Sequence, residues 1–95
     1  MRESDIENYL AFRVRLMGGE VRKVAWVGRR GAPDRFVMLP ARGRKKPRTF
    51  WVELKAPGKK ATEAQAREHD RMRRYGEVVY VIDSINSVNE ILLCG

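Results

Sequence analysis

The segment from Thr49 to Lys55 can adopt few structures. Phe50, Val52 and Leu54 alternate with Trp51, Glu53 and Lys55, which is the period of a half-buried strand and not that of a helix. Side chains two apart on a strand leave the same face, roughly 7 Å apart, so Glu53 and Lys55 look the same way. Upstream, Gly31-Ala32-Pro33-Asp34 opens a second strand that continues through Arg35, Phe36, Val37, Met38 and Leu39. Proline fixes its own φ and biases the preceding residue toward extended geometry, so the turn presents Asp34 in a defined direction. The cationic stretch from Pro40 to Pro47 reads as the connection of a hairpin.

Two carboxylates and an ammonium are thereby aimed at one place. Asp34 and Glu53 can hold a hard divalent cation through oxygen. A neighbouring lysine can orient a water or stabilise charge on a phosphate. The chemistry expected of this arrangement is metal-dependent cleavage of a phosphodiester. Taken singly the motifs say little, since Glu-x-Lys occurs on many exposed strands and Pro-Asp in many turns.

The remaining segments supply the frame. Ser4 with Glu7 three residues on is a capping-box pattern, and Ile6, Tyr9, Leu10, Val14 and Met17 recur at helical spacing before Gly18-Gly19, which predicts a helix from about Ser4 to Met17. Glu7 therefore has two readings, a cap or a site residue. Val21, Val24, Ala25, Trp26 and Val27 predict a strand from Glu20 to Val27, with Trp26 as partly buried core rather than a base-stacking platform. Thr62 with Gln65 is a second capping box, opening a helix to Tyr75 whose apolar stripe is Ala64, Ala66, His69, Met72 and Tyr75. Gln65 carries the same ambiguity as Glu7. His69 has no second histidine for a zinc pair and is a weak candidate for a general base. Val78 to Ile82 is a continuous apolar run, as in a strand buried on both faces, and Ser87 with Glu90 opens a final helix.

In this order, Glu7 on a first helix, the Gly31-x-Pro33-Asp34 turn, Glu53-x-Lys55 and Gln65 on the next helix resemble the PD-(D/E)XK nuclease superfamily. More narrowly they resemble its VRR-NUC family, the virus-type replication and repair nuclease domain, from Glu7 to about Val81. The local patterns and the resemblance agree on an α/β fold in one domain over residues 1–95. This is a restriction-endonuclease-like core with a mixed β-sheet flanked by helices, in the order α-β-β-β-α-β-α. The resemblance implies Mg²⁺ or Mn²⁺ held by Asp34, Glu53 and the backbone carbonyl of Leu54, with Glu7 supporting the metal directly or through water. It implies that Lys55 helps activate the attacking water and stabilises the pentacovalent phosphate, and that Gln65 positions water, Lys55 or substrate. It further implies structure-specific cleavage of branched DNA, including four-way (Holliday) junctions, by a homodimer. Nicking of duplex or flap DNA is the alternative within the enzyme class. A non-catalytic basic nucleic-acid-binding module is the alternative outside it, although carboxylates beside phosphates would only weaken such a binder.

The net charge of +8 over 95 residues calls for a polyanionic partner, because clustered Lys and Arg gain affinity by releasing counterions from phosphates. Arg29 and Arg30 in a glycine-flanked loop, Arg42, Arg44, Lys45 and Lys46 in the hairpin connection, and Lys59 and Lys60 after the second strand are the candidates for DNA contact. Arg67, Arg71, Arg73 and Arg74 make one helix face basic. No apolar run reaches the length needed to span a bilayer, the first residues carry no apolar signal core, and the sole cysteine, Cys94, has no partner for an intrachain disulfide. The expected setting is a reducing cytoplasm, of a bacterium or a phage-infected host, with no membrane partner and no small-molecule cofactor.

Overall fold

The computed structural model describes residues 1–93; Cys94, read above as an unpaired thiol, lies outside the described residues. The elements are α1 (Glu3–Leu16), β1 (Glu20–Lys23), β2 (Arg35–Leu39), β3 (Arg48–Leu54), α2 (Glu63–Arg74), β4 (Val79–Ile82) and α3 (Ile85–Leu93). This is the expected order. The sheet runs β1-β2-β3-β4. β1, β2 and β3 are successively antiparallel, and β4 lies parallel to β3 after the crossover through α2.

Alternation decides what each face buries. Val37 and Leu39 of β2, Phe50, Val52 and Leu54 of β3 and Ile82 of β4 project from one face. There they form a single cluster with Ile6, Leu10 and Val14 of α1 and Val88, Ile91 and Leu92 of α3. Each such side chain contributes about 1.5–3 kcal/mol relative to remaining exposed. α1 and α3 are also joined by polar contacts: the Tyr9 hydroxyl donates to Asn89 Oδ1 at 2.7 Å, and Arg13 Nη1 donates to the Tyr9 hydroxyl at 2.9 Å. α2 turns Glu68, His69 and Met72 inward.

Several boundaries differ from the sequence expectation, each for a local reason. At α1 the cap is made two residues earlier than Ser4 and Glu7 suggest and is one-sided, with Asp5 Oδ2 accepting the Arg2 N–H at 2.7 Å; Glu7 is thus released from capping. β1 stops at Lys23, and Val24 instead donates its N–H to the Asp34 carbonyl at 2.9 Å as the chain turns toward the site. In α2 the buried stripe is Glu68, His69 and Met72, while Tyr75 is 84% exposed. β4 is an edge strand, not one buried on both faces, and leaves Val78 and Val81 partly exposed. α3 begins at Ile85, ahead of Ser87, because Ser84 and Ser87 cap each other: Ser87 N–H donates to Ser84 Oγ at 3.0 Å and Ser84 N–H to Ser87 Oγ at 3.2 Å. Among the described residues, no helix is long and apolar enough to cross a membrane.

Gly31 connects this frame to the Pro33-Asp34 turn. Its φ is +78°, and a Cβ there would stand 2.8 Å from the Ala64 carbonyl oxygen and 3.1 Å from Gln65 Cα. The turn therefore packs directly on the first residues of α2, at a distance and a dihedral that only glycine tolerates. Gly31→Ala is expected to lower stability by about 1–3 kcal/mol in urea unfolding. A change within about 0.5 kcal/mol, the size of an ordinary surface substitution, would show that the close approach is not needed.

Candidate active site

The site lies at the end of the sheet where β2 begins and β3 ends. The β2–β3 ladder closes at Arg35 opposite Val52. One step further, the same register sets Asp34 opposite Glu53. A second step sets Pro33 opposite Leu54. Even-numbered residues of β3 face β2, because Trp51 and Lys55 give their N–H groups to Val78 and Ile82 on the β4 side. The Leu54 carbonyl thus points to where proline has no N–H to offer, and remains available as an oxygen ligand.

The turn itself is held by aromatic residues. Trp26 Nε1 donates to the Pro33 carbonyl at 2.7 Å. Its ring lies 5.1 Å from that of Trp51, which in turn lies 4.6 Å from Phe36. Trp26 therefore braces the turn; at 38% exposed and outside the apolar cluster, it is not the core residue that the sequence reading expects. Trp51 precedes Glu53 by two residues and shares its face, so this packing also fixes the strand from which Glu53 and Lys55 project.

The carboxylates differ in environment. The Glu53 side chain is only 12% exposed, and its pKa is pushed up to about 7, chiefly by burial; Lys55 pulls it down, while the charges of Asp34 and Glu3 push it further up. Asp34 is more open and pairs with Arg35 Nη1 at 2.9 Å. Glu7 points to the same guanidinium, with Oε2 2.6 Å from Arg35 Nη2 and Oε1 3.6 Å from Lys23 Nζ. Burial raises the Glu7 pKa, but the Arg35 hydrogen bond and the charges of Arg35 and Lys23 outweigh it and leave the pKa lowered. Arg35 thus joins the first helix to the Pro-Asp turn and occupies both acids from one side.

The charges of Asp34 and Lys55 both act on the Glu53 carboxylate, so the structure brings these three side chains together. Glu7 reaches this end of the sheet, with its carboxylate engaged by Arg35 and Lys23. The Gln65 side chain is committed to its cap: Gln65 Oε1 accepts the Thr62 N–H at 2.9 Å, and Gln65 N–H donates to Thr62 Oγ1 at 3.2 Å. Arg29 is tied down too, with Nη2 3.0 Å from Glu68 Oε1, a partner 39 residues away that the sequence does not announce. Arg42, Arg44, Lys45 and Lys46 are exposed at the hairpin tip. At about 3.3 Å per residue along β2, that tip is roughly 20 Å from Asp34, at the opposite end of the sheet. Lys59 and Lys60 follow β3 on the site side and are exposed, as is Arg30. His69, read from the sequence as part of the apolar stripe of α2 and as a weak general base, is buried as that stripe expects, but with Nε2 3.6 Å from Glu53 Oε1, a neighbour the sequence reading did not give it. Only its spacing one turn after Gln65 could have suggested this.

A hard divalent cation suits this donor set. Glu53 is a largely buried carboxylate whose pKa is raised chiefly by burial and further by Asp34, the kind of destabilised charge that a cation relieves, and proline opposite Leu54 offers its carbonyl no ladder donor. Among the described residues no group of three or more His, Cys, Asp or Glu side chains converges. Two carboxylates, a carbonyl and water are a set on which Mg²⁺, which keeps several waters, is commonly held.

In a chelator, Glu53 should make the protein less stable as pH rises. Its pKa is raised on folding, so its favourable contribution is complete below the unfolded value near 4.5 and is lost as pH passes through about 7. The upper bound is roughly 3 kcal/mol. Urea melts at pH 5 and pH 8 measure it, and Glu53→Gln should remove this part of the difference. An equal pH difference in Glu53→Gln would assign the effect to other groups.

Comparison with known proteins gives the family. No family model matches the chain. It is 45% identical over 84 residues, covering 88% of this chain and 85% of the other, to a protein described as "Putative nuclease p44" from Acyrthosiphon pisum secondary endosymbiont phage 1. A solved structure described as "VRR_NUC domain" superposes with a TM-score of 0.78 at 36% identity, covering 95% of this chain and 92% of that one. Similarity of this extent, in sequence and in fold, places the chain in the VRR-NUC family of nuclease domains.

Proposed function

We propose that this chain is a divalent-metal-dependent DNA endonuclease acting on branched DNA such as four-way junctions. The observation that carries the chemistry is the convergence of Glu53 and Lys55, two apart on β3, with Asp34 on the turn opposite. In this reading Asp34, Glu53 and the Leu54 carbonyl hold Mg²⁺ or Mn²⁺. A bound ion would supply a Lewis acid for the phosphate and lower the pKa of a water. Lys55 is placed to orient an attacking water and to stabilise negative charge that develops on the phosphate oxygens. Glu7 acts through Arg35, which keeps the Asp34 carboxylate at the mouth of the site. Gln65 acts as the cap that sets α2 beside Gly31. No covalent nucleophile is needed.

The basic residues fall into two groups that a DNA substrate can meet together. Arg30, Lys59 and Lys60 flank the site, and the hairpin tip stands roughly 20 Å away, about six base pairs of duplex at 3.4 Å per step. Separated contacts of this kind favour a substrate with extended or branched arms. A homodimer would present two such sites, as paired cuts in a junction require.

Cleavage of matched linear, flap and four-way-junction DNAs in Mg²⁺ or Mn²⁺ tests the reading. Asp34→Ala and Lys55→Ala should each lose at least about 10²-fold in turnover while remaining folded, and junction cleavage should exceed linear cleavage. Binding of all three DNAs without cleavage by the folded wild type would leave a binding module instead. Replacing Arg42, Arg44, Lys45 and Lys46 together by Ala should weaken DNA binding and reduce the salt slope by up to about 3–4, at roughly 0.9 for each phosphate no longer neutralised. An unchanged slope would make the hairpin tip a solvated loop.

A further inference from the structure

His69 has no role in the mechanism above, yet it is 1% exposed, and its Nε2 is a buried polar atom with no hydrogen-bond partner among the described residues. Buried polar atoms rarely stay unsatisfied, and each exception needs an explanation. Glu53 Oε1 lies 3.6 Å from this nitrogen, just beyond hydrogen-bond reach. Closing the gap to about 2.9 Å requires less than about 1 Å of movement. Other acids near the imidazole are engaged elsewhere: Glu68 is held by Arg29 at 3.0 Å and Arg71 at 2.7 Å, and Asp70 by Arg73 at 3.1 Å. Glu53 is the acid left for it.

We propose that His69 is a positioning residue for the metal site, donating from Nε2–H to Glu53 Oε1 so that Oε2 is turned toward Asp34 and the cation. This rests on the metal-dependent reading above. Two considerations favour it. α2 is fixed at its first turn by the Thr62–Gln65 cap and inside by buried Met72, so His69 approaches from a rigid element. Ligating carboxylates are commonly held by such an outer hydrogen bond, whose loss lowers metal affinity by about 10–100-fold.

The chain contains a single histidine, so its imidazole ¹H–¹⁵N signals are assigned without ambiguity. The experiment titrates ¹⁵N-labelled wild-type protein with Mg²⁺ at pH 8, without DNA, while calorimetry measures Mn²⁺ binding to wild type, His69→Leu and His69→Gln. The expected result is a downfield shift of the Nε2–H signal that saturates with Mg²⁺, about tenfold weaker Mn²⁺ binding in His69→Leu, and recovery of most of that loss in His69→Gln, whose amide keeps a donor. If wild type binds Mn²⁺ but the Nε2–H signal does not move, or His69→Leu binds as wild type does, the His69 role is overturned and the metal site stands. If wild type binds neither ion, the metal reading fails and this inference falls with it. Should His69→Leu not fold, the wild-type Mg²⁺ titration decides alone.

Discussion

The register between β2 and β3 is the constraint that makes the site, because it sets Asp34 opposite Glu53 and Pro33 opposite Leu54 when carried past Arg35–Val52. A slip of one residue would exchange faces for every side chain on the strand. Glu53 and Lys55 would enter the apolar cluster, and Phe50, Val52 and Leu54 would leave it. Burial of that cluster against α1 and α3 therefore holds Glu53 and Lys55 in place, and the same apolar residues that fold the chain aim its polar ones. The proline that shapes the turn also withholds the N–H that would otherwise occupy the Leu54 carbonyl. One residue thus both ends the ladder and opens a ligand position.

Charge is distributed so that the acids meet different fates. Glu68 is buried between Arg29 and Arg71, and Glu7 is matched by Arg35 and Lys23; both have lowered pKa values. Glu53 alone among these is raised, to about 7, because burial and Asp34 outweigh Lys55. In a strongly basic chain that pairs Glu7 and Glu68 with arginines, Glu53 has no arginine salt bridge among the described residues, a feature that the proposed metal site rests on. Arg35 adds to this by holding Glu7 away and gripping Asp34 from the side.

Local pattern alone was enough for the element order, for the alternation of β3 and hence the shared direction of Glu53 and Lys55, and for the Gly31-x-Pro33-Asp34 turn, because periodicity and proline or glycine dihedrals are local properties. The Thr62–Gln65 cap was legible for the same reason. The ends of elements were less so: Asp5 outcompeted Glu7 for the first cap, and Ser84 displaced Ser87 as the start of α3, since several side chains at each end could satisfy the same free N–H groups. Other features appear only once the chain is folded. Glu7 meets Arg35, Arg29 is held by Glu68 39 residues away, the basic hairpin leaves the far end of the sheet, and His69 is buried against Glu53. These depend on which faces pack together, and a charge or an imidazole has no periodicity that announces its partner. Burial and distance, which exist only in the folded chain, gave Glu53 and His69 their chemistry.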